Sequence, residues 1–232
     1  FYLPMEVDEI AQPVTGDIGA YYRNLRFAEV GSKRYLVLSY CRTLHNIDYD
    51  RVLHSHRQHN ADVTLVYKKL PEARPGKAYV VNVAADGRIT GIAEKDKVAA
   101  GENLFMEALL IDCNIFTNAV RQAYAQGKQN FFTEVIGAEL KRLRVFGYGY
   151  SSYAARITSI PDYYKASLDL LNLDNLRTVF KPGLHIRTKI KDEAPAKYME
   201  EALARNCIIA NGCVIEGQVE NSILFRNVRL GK

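Results

Sequence analysis

Apolar positions along this chain change their period several times, and each change marks an element. Tyr35-Leu36-Val37-Leu38 and Val63-Thr64-Leu65-Val66-Tyr67 are short runs rich in β-branched and aromatic residues, the pattern of buried strands. Between them Asp48 can cap a helix over 49–59, with Val52 and Leu53 on its inner side. Strand, loop, helix and strand is the form of a βαβ unit in a parallel sheet, and such sheets bind ligands at the carboxyl ends of their strands. The loop to interrogate is therefore 39–46. It holds Ser39, Tyr40, Cys41, Arg42, Thr43, Leu44 and His45, and no carboxylate.

The same reading extends both ways. Residues 1–13 are irregular, with Pro4 and Pro13, and Gly16 to Gly19 lead into a helix over 20–27. Two spaced glycines could cradle a phosphate, but a turn is the simpler reading. Pro71 to Gly76 breaks the chain, and 78–83 and 89–92 are strands joined by an Asp86-Gly87 hairpin turn. Glu94-Lys95 closes the second of them. Residues 104–112 form another strand, 114–124 and 131–143 are helices, and 145–150 and 153–157 are strands. Pro161 can start a helix over 160–173. About 174–203 reads as linker. From 207 onward the chain repeats in sixes, with Cys207, Cys213, Val219 and Phe225 in one row. That period marks a parallel β-helix, whose inward row these would be. An ordinary pair of hairpins is the alternative.

Composition narrows the partners. With 31 basic and 26 acidic residues the net charge is +5, spread along the chain. This suits a solvated surface with at most an anionic small-molecule site, and gives no footprint for nucleic acid. No run approaches the ~20 apolar residues of a membrane span, and no signal peptide is visible. The four cysteines, Cys41, Cys113, Cys207 and Cys213, make no CxxC and read as reduced thiols of a cytoplasmic protein. His54, His56 and His59 do not share one helix face, so they read as a solvated surface rather than a metal site. The chain starts at Phe1 and stops at Lys232 in mid-pattern, as a fragment would.

The stretch 36–67, LVLSYCRTLHNIDYDRVLHSHRQHNADVTLVY, resembles the central βαβ of bacterial glucose-1-phosphate adenylyltransferases. Catalytic members read roughly S-G-D-H-I-Y in the loop, then D-Y and A-D-V-T; Asp48-Tyr49 and Ala61 to Thr64 match, while Cys41 stands near the Asp that helps hold magnesium. The family's G-T-A-D-A-I-Y-Q-N-L is matched by Gly16, Ala20, Tyr22, Asn24 and Leu25, with Gly19 for its Asp. Glu94 and Lys95 match a Glu-Lys pair that contacts glucose and its phosphate. Met106 matches a family Met, but Phe105 replaces a small Ser and Glu107 a Gly. Glu134 stands where a second magnesium-binding Asp belongs, one methylene longer. Arg156, Asp162 and Tyr164 match a W-R-D-V-G-T-I-D-x-Y segment whose Trp, first Asp and Gly are Ala155, Ile157 and Ser159.

The resemblance implies an α/β fold: part of a Rossmann-like nucleotidyltransferase mixed sheet over 1–173, the linker, and the first coils of a left-handed hexapeptide-type β-helix over 204–232. The family's glycine-rich nucleotide loop is not in these residues. Active members use Mg2+ to make ADP-glucose and pyrophosphate from ATP and glucose 1-phosphate. The pattern is nearer the degenerate, regulatory type of subunit. That implies no catalytic residue, vestigial substrate contacts at Glu94, Lys95 and Met106, no metal site, and a catalytic partner subunit in a homo- or hetero-oligomer. A sugar phosphate or nucleotide effector is a further expectation. The alternatives are a competent sugar-phosphate nucleotidyltransferase with an unusual site, and a non-enzymatic scaffold subunit.

Overall fold

The longest run of buried residues lies at Leu104 to Ile111, and the main sheet is assembled on it. A computed structural model describes residues 16–31, 33–187 and 191–232, so the irregular start expected over 1–13 lies outside the described residues. In chain order the first elements are α1 (Asp17–Arg23), α2 (Leu25–Val30), β1 (Tyr35–Ser39), β2 (Thr43–Leu44), α3 (Tyr49–Gln58) and β3 (Val63–Lys69). Next come β4 (Arg74–Val83), β5 (Ile89–Val98), β6 (Asn103–Asp112), α4 (Cys113–Ala125), a π-helical turn (Phe131–Gly137) and β7 (Val145–Gly149). Then follow β8 (Ala155–Arg156), α5 (Ile160–Asp169), α6 (Leu173–Val179), β9 (Lys197–Tyr198) and β10 (Leu203–Arg205). The last are β11 (Ile208–Ile209), β12 (Val214–Ile215), β13 (Gln218–Glu220), β14 (Ile223–Leu224) and β15 (Arg229–Leu230).

Two compact units share the chain. The first takes the residues up to Tyr40 and Asp48–Ser151; the second takes Cys41–Ile47 and Ser152–Lys232. In the first, the sheet runs β5-β4-β6-β3-β7, with β1 also on β6. Both β1 and β3 pair antiparallel with the same stretch of β6, as in Tyr35↔Asp112 and Val63↔Ile111, so they occupy its opposite edges. They are thus parallel to one another but not neighbours, which corrects the simple parallel βαβ expected. The reason is burial: β6 is the most continuously buried strand and takes the centre, where both of its edges can be hydrogen-bonded. Among the described residues only β3 and β7 form a parallel pair in this sheet. The result is a mixed α/β unit, consistent with a nucleotidyltransferase-like fold.

Local chemistry explains the helices. Asp48 caps α3 by accepting from Asp50 and Arg51 N–H at 3.1 and 3.3 Å. Val52 is buried while His54 and His59 are exposed, as an amphipathic helix requires. His56 departs from the solvated face expected of it: it is buried, its Nδ1 2.8 Å from Thr64 Oγ1 and its ring edge-on to Tyr35. Asn130 caps the stretch expected to be a helix over 131–143, accepting from Thr133 N–H at 2.9 Å. It forms the π-helical turn and loosens into turns after Gly137. The supposed breaker at 71–76 also yields, because β4 starts at Arg74 and absorbs Pro75 and Gly76 in a register shift against β5.

The second unit has β2 antiparallel to β8, so the loop 39–46 contains a strand. Asn46 Nδ2 donates to Val179 O at 2.7 Å and to Leu184 O at 2.9 Å, tying this stretch to the end of α6. Ser159 caps α5, with Pro161 in its first turn, and Asn172 caps α6. The expected linker 174–203 therefore carries most of α6 and all of β9; its residues 188–190 lie outside the described ones.

The last segment makes parallel ladders: β10 with β13, β11 with β14, and β12 with both β9 and β15. Leu203 meets Gln218, Ile208 meets Ile223 and Val214 meets Arg229, so partners stand at one constant interval, shorter than three sixes. Cys213, Ile215 and Val219 are buried together, and Cys207 packs against them. Phe225 does not join the row: it is 60% exposed.

Two expectations follow from this packing. At Gly16, φ is +89° and an added Cβ would lie 2.1 Å from Gln129 O. Gly16→Ala should cost at least about 2 kcal/mol, read as a lowered urea midpoint. His56 is the second. Burial pushes its pKa below the usual histidine range, so the folded state favours the neutral ring. Its contribution is fully present above the unfolded value of about 6.5 and is lost as pH falls toward the folded value. Urea midpoints should drop between about pH 7.5 and about pH 5.5, and less steeply in His56→Gln.

Candidate functional site

The first unit gathers polar groups at the carboxyl end of β1. Opposite β3, the register of β6 shifts between Leu109 and Phe105, leaving Met106, Glu107 and Ala108 as a bulge beside Val66. Bulges of this kind re-aim side chains and are common next to functional sites. At its apex Glu107 is buried with φ +56°, a left-handed conformation that costs a non-glycine residue roughly 1–2 kcal/mol. The resemblance places a glycine here, and the backbone takes a conformation that favours glycine while carrying a glutamate. The Glu107 carbonyl accepts the Tyr40 N–H at 3.0 Å, extending the β1–β6 ladder by one residue.

Tyr40 is then bound from a second direction. Its hydroxyl donates to Asp17 Oδ2 at 2.6 Å, and Asp17 Oδ1 accepts the Phe131 N–H at 2.8 Å. The Asp17 N–H donates to Gln129 O at 3.0 Å, so the first residue of α1 clasps the segment before the π-helical turn at both ends. Burial pushes the Asp17 carboxyl above the usual carboxylate range, against the opposing pull of these hydrogen bonds. Burial, with the Asp17 charge nearby, pushes Tyr21 up to about 12, and the Tyr40 hydroxyl is raised for the same two reasons and by Tyr21 itself. Both phenols are therefore neutral. Gly16 makes a turn rather than a phosphate cradle, since the space its Cβ would take is filled by Gln129 O.

Glu134, at the position the resemblance gives to a magnesium-binding Asp, is engaged elsewhere. Its Oε2 accepts the N–H groups of Gln129 and Asn130 at 2.8 and 2.7 Å, a carboxylate closing the start of the helical turn. Those bonds hold its pKa below the usual range. Phe105 lies flat on Phe132, ring centres 4.0 Å apart, and Tyr79 meets Phe132 edge-on. The position that the resemblance gives to a small serine is thus packed solid. Met106 is buried in the bulge.

Glu94 and Lys95 do not close a strand. They lie within β5, which runs on to Val98, and adjacent strand residues face opposite ways. Glu94 pairs with Lys77 at 3.9 Å, and Lys95 pairs with Glu102, whose carboxylate also accepts the Ala99 N–H at 2.8 Å. Each is an exposed surface pair. In the second unit Cys41 is exposed, Arg156 faces Thr43 across the β2–β8 pair, and Asp162 accepts from Thr158 N–H and Oγ1 at 3.0 and 2.7 Å.

Magnesium requires several hard oxygen ligands in near-octahedral array. The thiol of Cys41 is a poor donor for it, and Glu134 already spends one oxygen on two backbone N–H groups. Among the described residues no group of three His, Cys, Asp or Glu could hold a metal ion. The residues present do not fit the ion. The Asp17–Tyr40 clasp escaped the sequence reading, because an acid after a glycine at a helix start reads as an ordinary first-turn charge.

No protein-family model matches the chain. It is 29% identical, over its whole length and 56% of the relative's, to the glycogen biosynthesis protein GlgD of Bacillus subtilis. Glucose-1-phosphate adenylyltransferase of Fusobacterium nucleatum is 24% identical over 94% of this chain and 57% of its own length. That of Geobacillus stearothermophilus is 24% identical over 99% of the chain and 60% of its own. The chain spans less than two thirds of the length of each. It is a relative of the bacterial glucose-1-phosphate adenylyltransferases and of glycogen biosynthesis protein GlgD.

Proposed function

We propose that the full-length protein serves bacterial glycogen synthesis as a regulatory-type subunit, acting on a catalytic glucose-1-phosphate adenylyltransferase partner. The observation that carries this reading is how the carboxyl end of β1 is occupied. Tyr40 and Asp17 spend their polar atoms on each other and on the backbone of the 129–131 segment. Glu134 closes a helical turn, Phe105 fills a site expected to be small, and Cys41 replaces an expected carboxylate. A site whose polar groups are satisfied internally gains packing and loses the free ligands that nucleotidyl transfer needs.

The proposal extends to assembly and place. The parallel ladders after Lys197 support the start of a parallel β-helix, taken as left-handed from the resemblance, which would bring subunits together as an oligomer. Glu94, Lys95 and Met106 are vestigial substrate positions on this reading. The cytoplasm, where glycogen precursors are made, is the proposed location; among the described residues no helix is long and apolar enough to cross a membrane.

Two measurements test the proposal. The protein alone, given ATP, glucose 1-phosphate and Mg2+, should release no pyrophosphate above blank, and Cys41→Asp should not rescue it, since Glu134 and Asp17 remain engaged. Turnover by the unaltered protein would refute the reading. Mixed with the catalytic subunit from the same cell, the full-length protein should co-elute on a sizing column. It should also move the half-saturating substrate concentration by roughly 5-fold or more, the range of a coupling free energy of ~1–3 kcal/mol. Unchanged curves without co-elution would remove its support.

A further inference from the structure

α4 carries a row of side-chain amides that the fold does not use. Asn118, Gln122 and Gln126 recur at every fourth position on one ridge of the helix, and all three are exposed. They line a groove of about 350 Å3 between α4 and the turns that follow Gly137. That volume lies at the lower end of the roughly 300–1,000 Å3 of ligand clefts. Among the described residues none of these side-chain amides is hydrogen-bonded to the protein. Nor do they hold the helix in place, since it is Phe116 and Val120 that join the buried core.

Helix propensity explains only part of the row. Glutamine is a good helix former, so Gln122 needs no further reason. Asparagine is a poor one, because its short amide competes for the backbone. Asn118 nevertheless stands in the interior of α4 at an exposed position, where alanine would give a more stable helix.

The row matches the chemistry and the interval of a peptide backbone. A primary amide both donates and accepts, as a peptide unit does. Residues four apart on a helix have Cβ atoms about 5–6 Å apart. Alternate residues of an extended chain, whose peptide units face the same way, are about 6.5 Å apart. The ridge from Asn118 to Gln126 is roughly 12 Å long, the reach of about four extended residues.

The rest of the lining narrows the ligand. Ala119, Ala123, Val135 and Leu143 make an aliphatic floor suited to small side chains. Among the described residues no aromatic ring lines the groove, so it offers no flat face to a sugar. Arg142 is paired with Glu139 at 3.0 Å, so two free guanidinium groups do not converge on an anion here. Lys128, beyond the last amide, makes no salt bridge among the described residues, and its charge complements one carboxylate at that end.

We propose that this groove takes an extended segment of a partner protein. Asn118, Gln122 and Gln126 pair with its backbone, small alternate side chains rest on the aliphatic floor, and an acidic residue sits beside Lys128. The site rests on the groove alone and holds or fails separately from the regulatory reading above.

The test titrates the isotopically labelled full-length protein with the acetylated peptide Ser-Ala-Ser-Val-Ser-Ala-Ser-Asp and with its reverse, which covers both chain directions. Saturable NMR shifts of the side-chain NH2 signals of Asn118, Gln122 and Gln126 are expected with one of the two. The double variant Asn118→Ala, Gln122→Ala should weaken that peptide roughly tenfold or more. Both changes favour helix, so such a loss does not come from a weakened α4. Lys69→Gln, on β3, should leave the affinity unchanged, and Lys128→Gln should erase the preference for Asp over Ser at the peptide's end. Methylating every backbone nitrogen of the peptide should abolish binding. Shifts that do not saturate with either peptide, equal binding of the methylated peptide, or indifference to the double substitution would overturn the proposal. So would a linear maltooligosaccharide that moves these signals where both peptides fail.

Discussion

A strand buried on both faces has no water to satisfy its backbone, so every N–H and C=O along both edges must find a partner in the protein. β6 imposes that condition on the first unit. From Leu104 to Ile111 each residue is buried, and the strand recruits β3 along one edge and β4 and β1 along the other. The antiparallel insertion of β6 between β1 and β3 is a consequence. So is the bulge at Met106–Ala108, where the ladder to β3 gives way over a short stretch and the carbonyl of Glu107 is left for Tyr40.

That bulge decides the character of the site. It sets Glu107 in a glycine-like conformation and draws Tyr40 in at the end of β1, within reach of Asp17. Asp17, Gln129, Phe131 and Glu134 then join the start of α1 to the π-helical turn by hydrogen bonds rather than by apolar contact alone. Beneath them Phe131, Phe116 and Tyr21 pack edge-to-face, with ring centres 5.4 to 5.6 Å apart. Such aromatic contacts favour one arrangement over its competitors. The polar atoms of Asp17 and Tyr40 above them are satisfied within the fold.

The second unit obeys a different rule. Its strands are two or three residues long, too short to stand as an open sheet; three parallel ladders share one interval along the chain, and the β9–β12 ladder has a longer one. Small and β-branched residues, with Cys213 and Ile215 fully buried, fill the interior. Asn206, Asn221 and Asn227 take the left-handed conformation, and Asn206 Nδ2 donates to Asn221 Oδ1 at 2.7 Å, linking two of these positions. Phe225 falls outside the row because the interval between paired strands is shorter than three sixes, so a fixed six-residue count drifts off the interior.

Residues close in sequence left a readable record. Asp48 and Pro161 announced their helices, Asp86-Gly87 its hairpin turn, and the apolar runs at 35–38, 63–67 and 104–112 their strands, because caps, turns and burial periods are local. The substitutions at Cys41, Phe105 and Glu107 were legible too, once set beside a related pattern. Strand neighbours were not: whether β3 sits beside β1 or beside β6 depends on which strand best tolerates burial on both sides. The Asp17–Tyr40 clasp, the inward turn of His56 and the groove that Gln122 shares with Leu143 were equally hidden. Each joins residues separated by a whole element or more, and a hydrogen bond or a shared groove leaves no periodic trace in sequence. Tertiary packing alone brings such groups within the few ångströms over which these forces act.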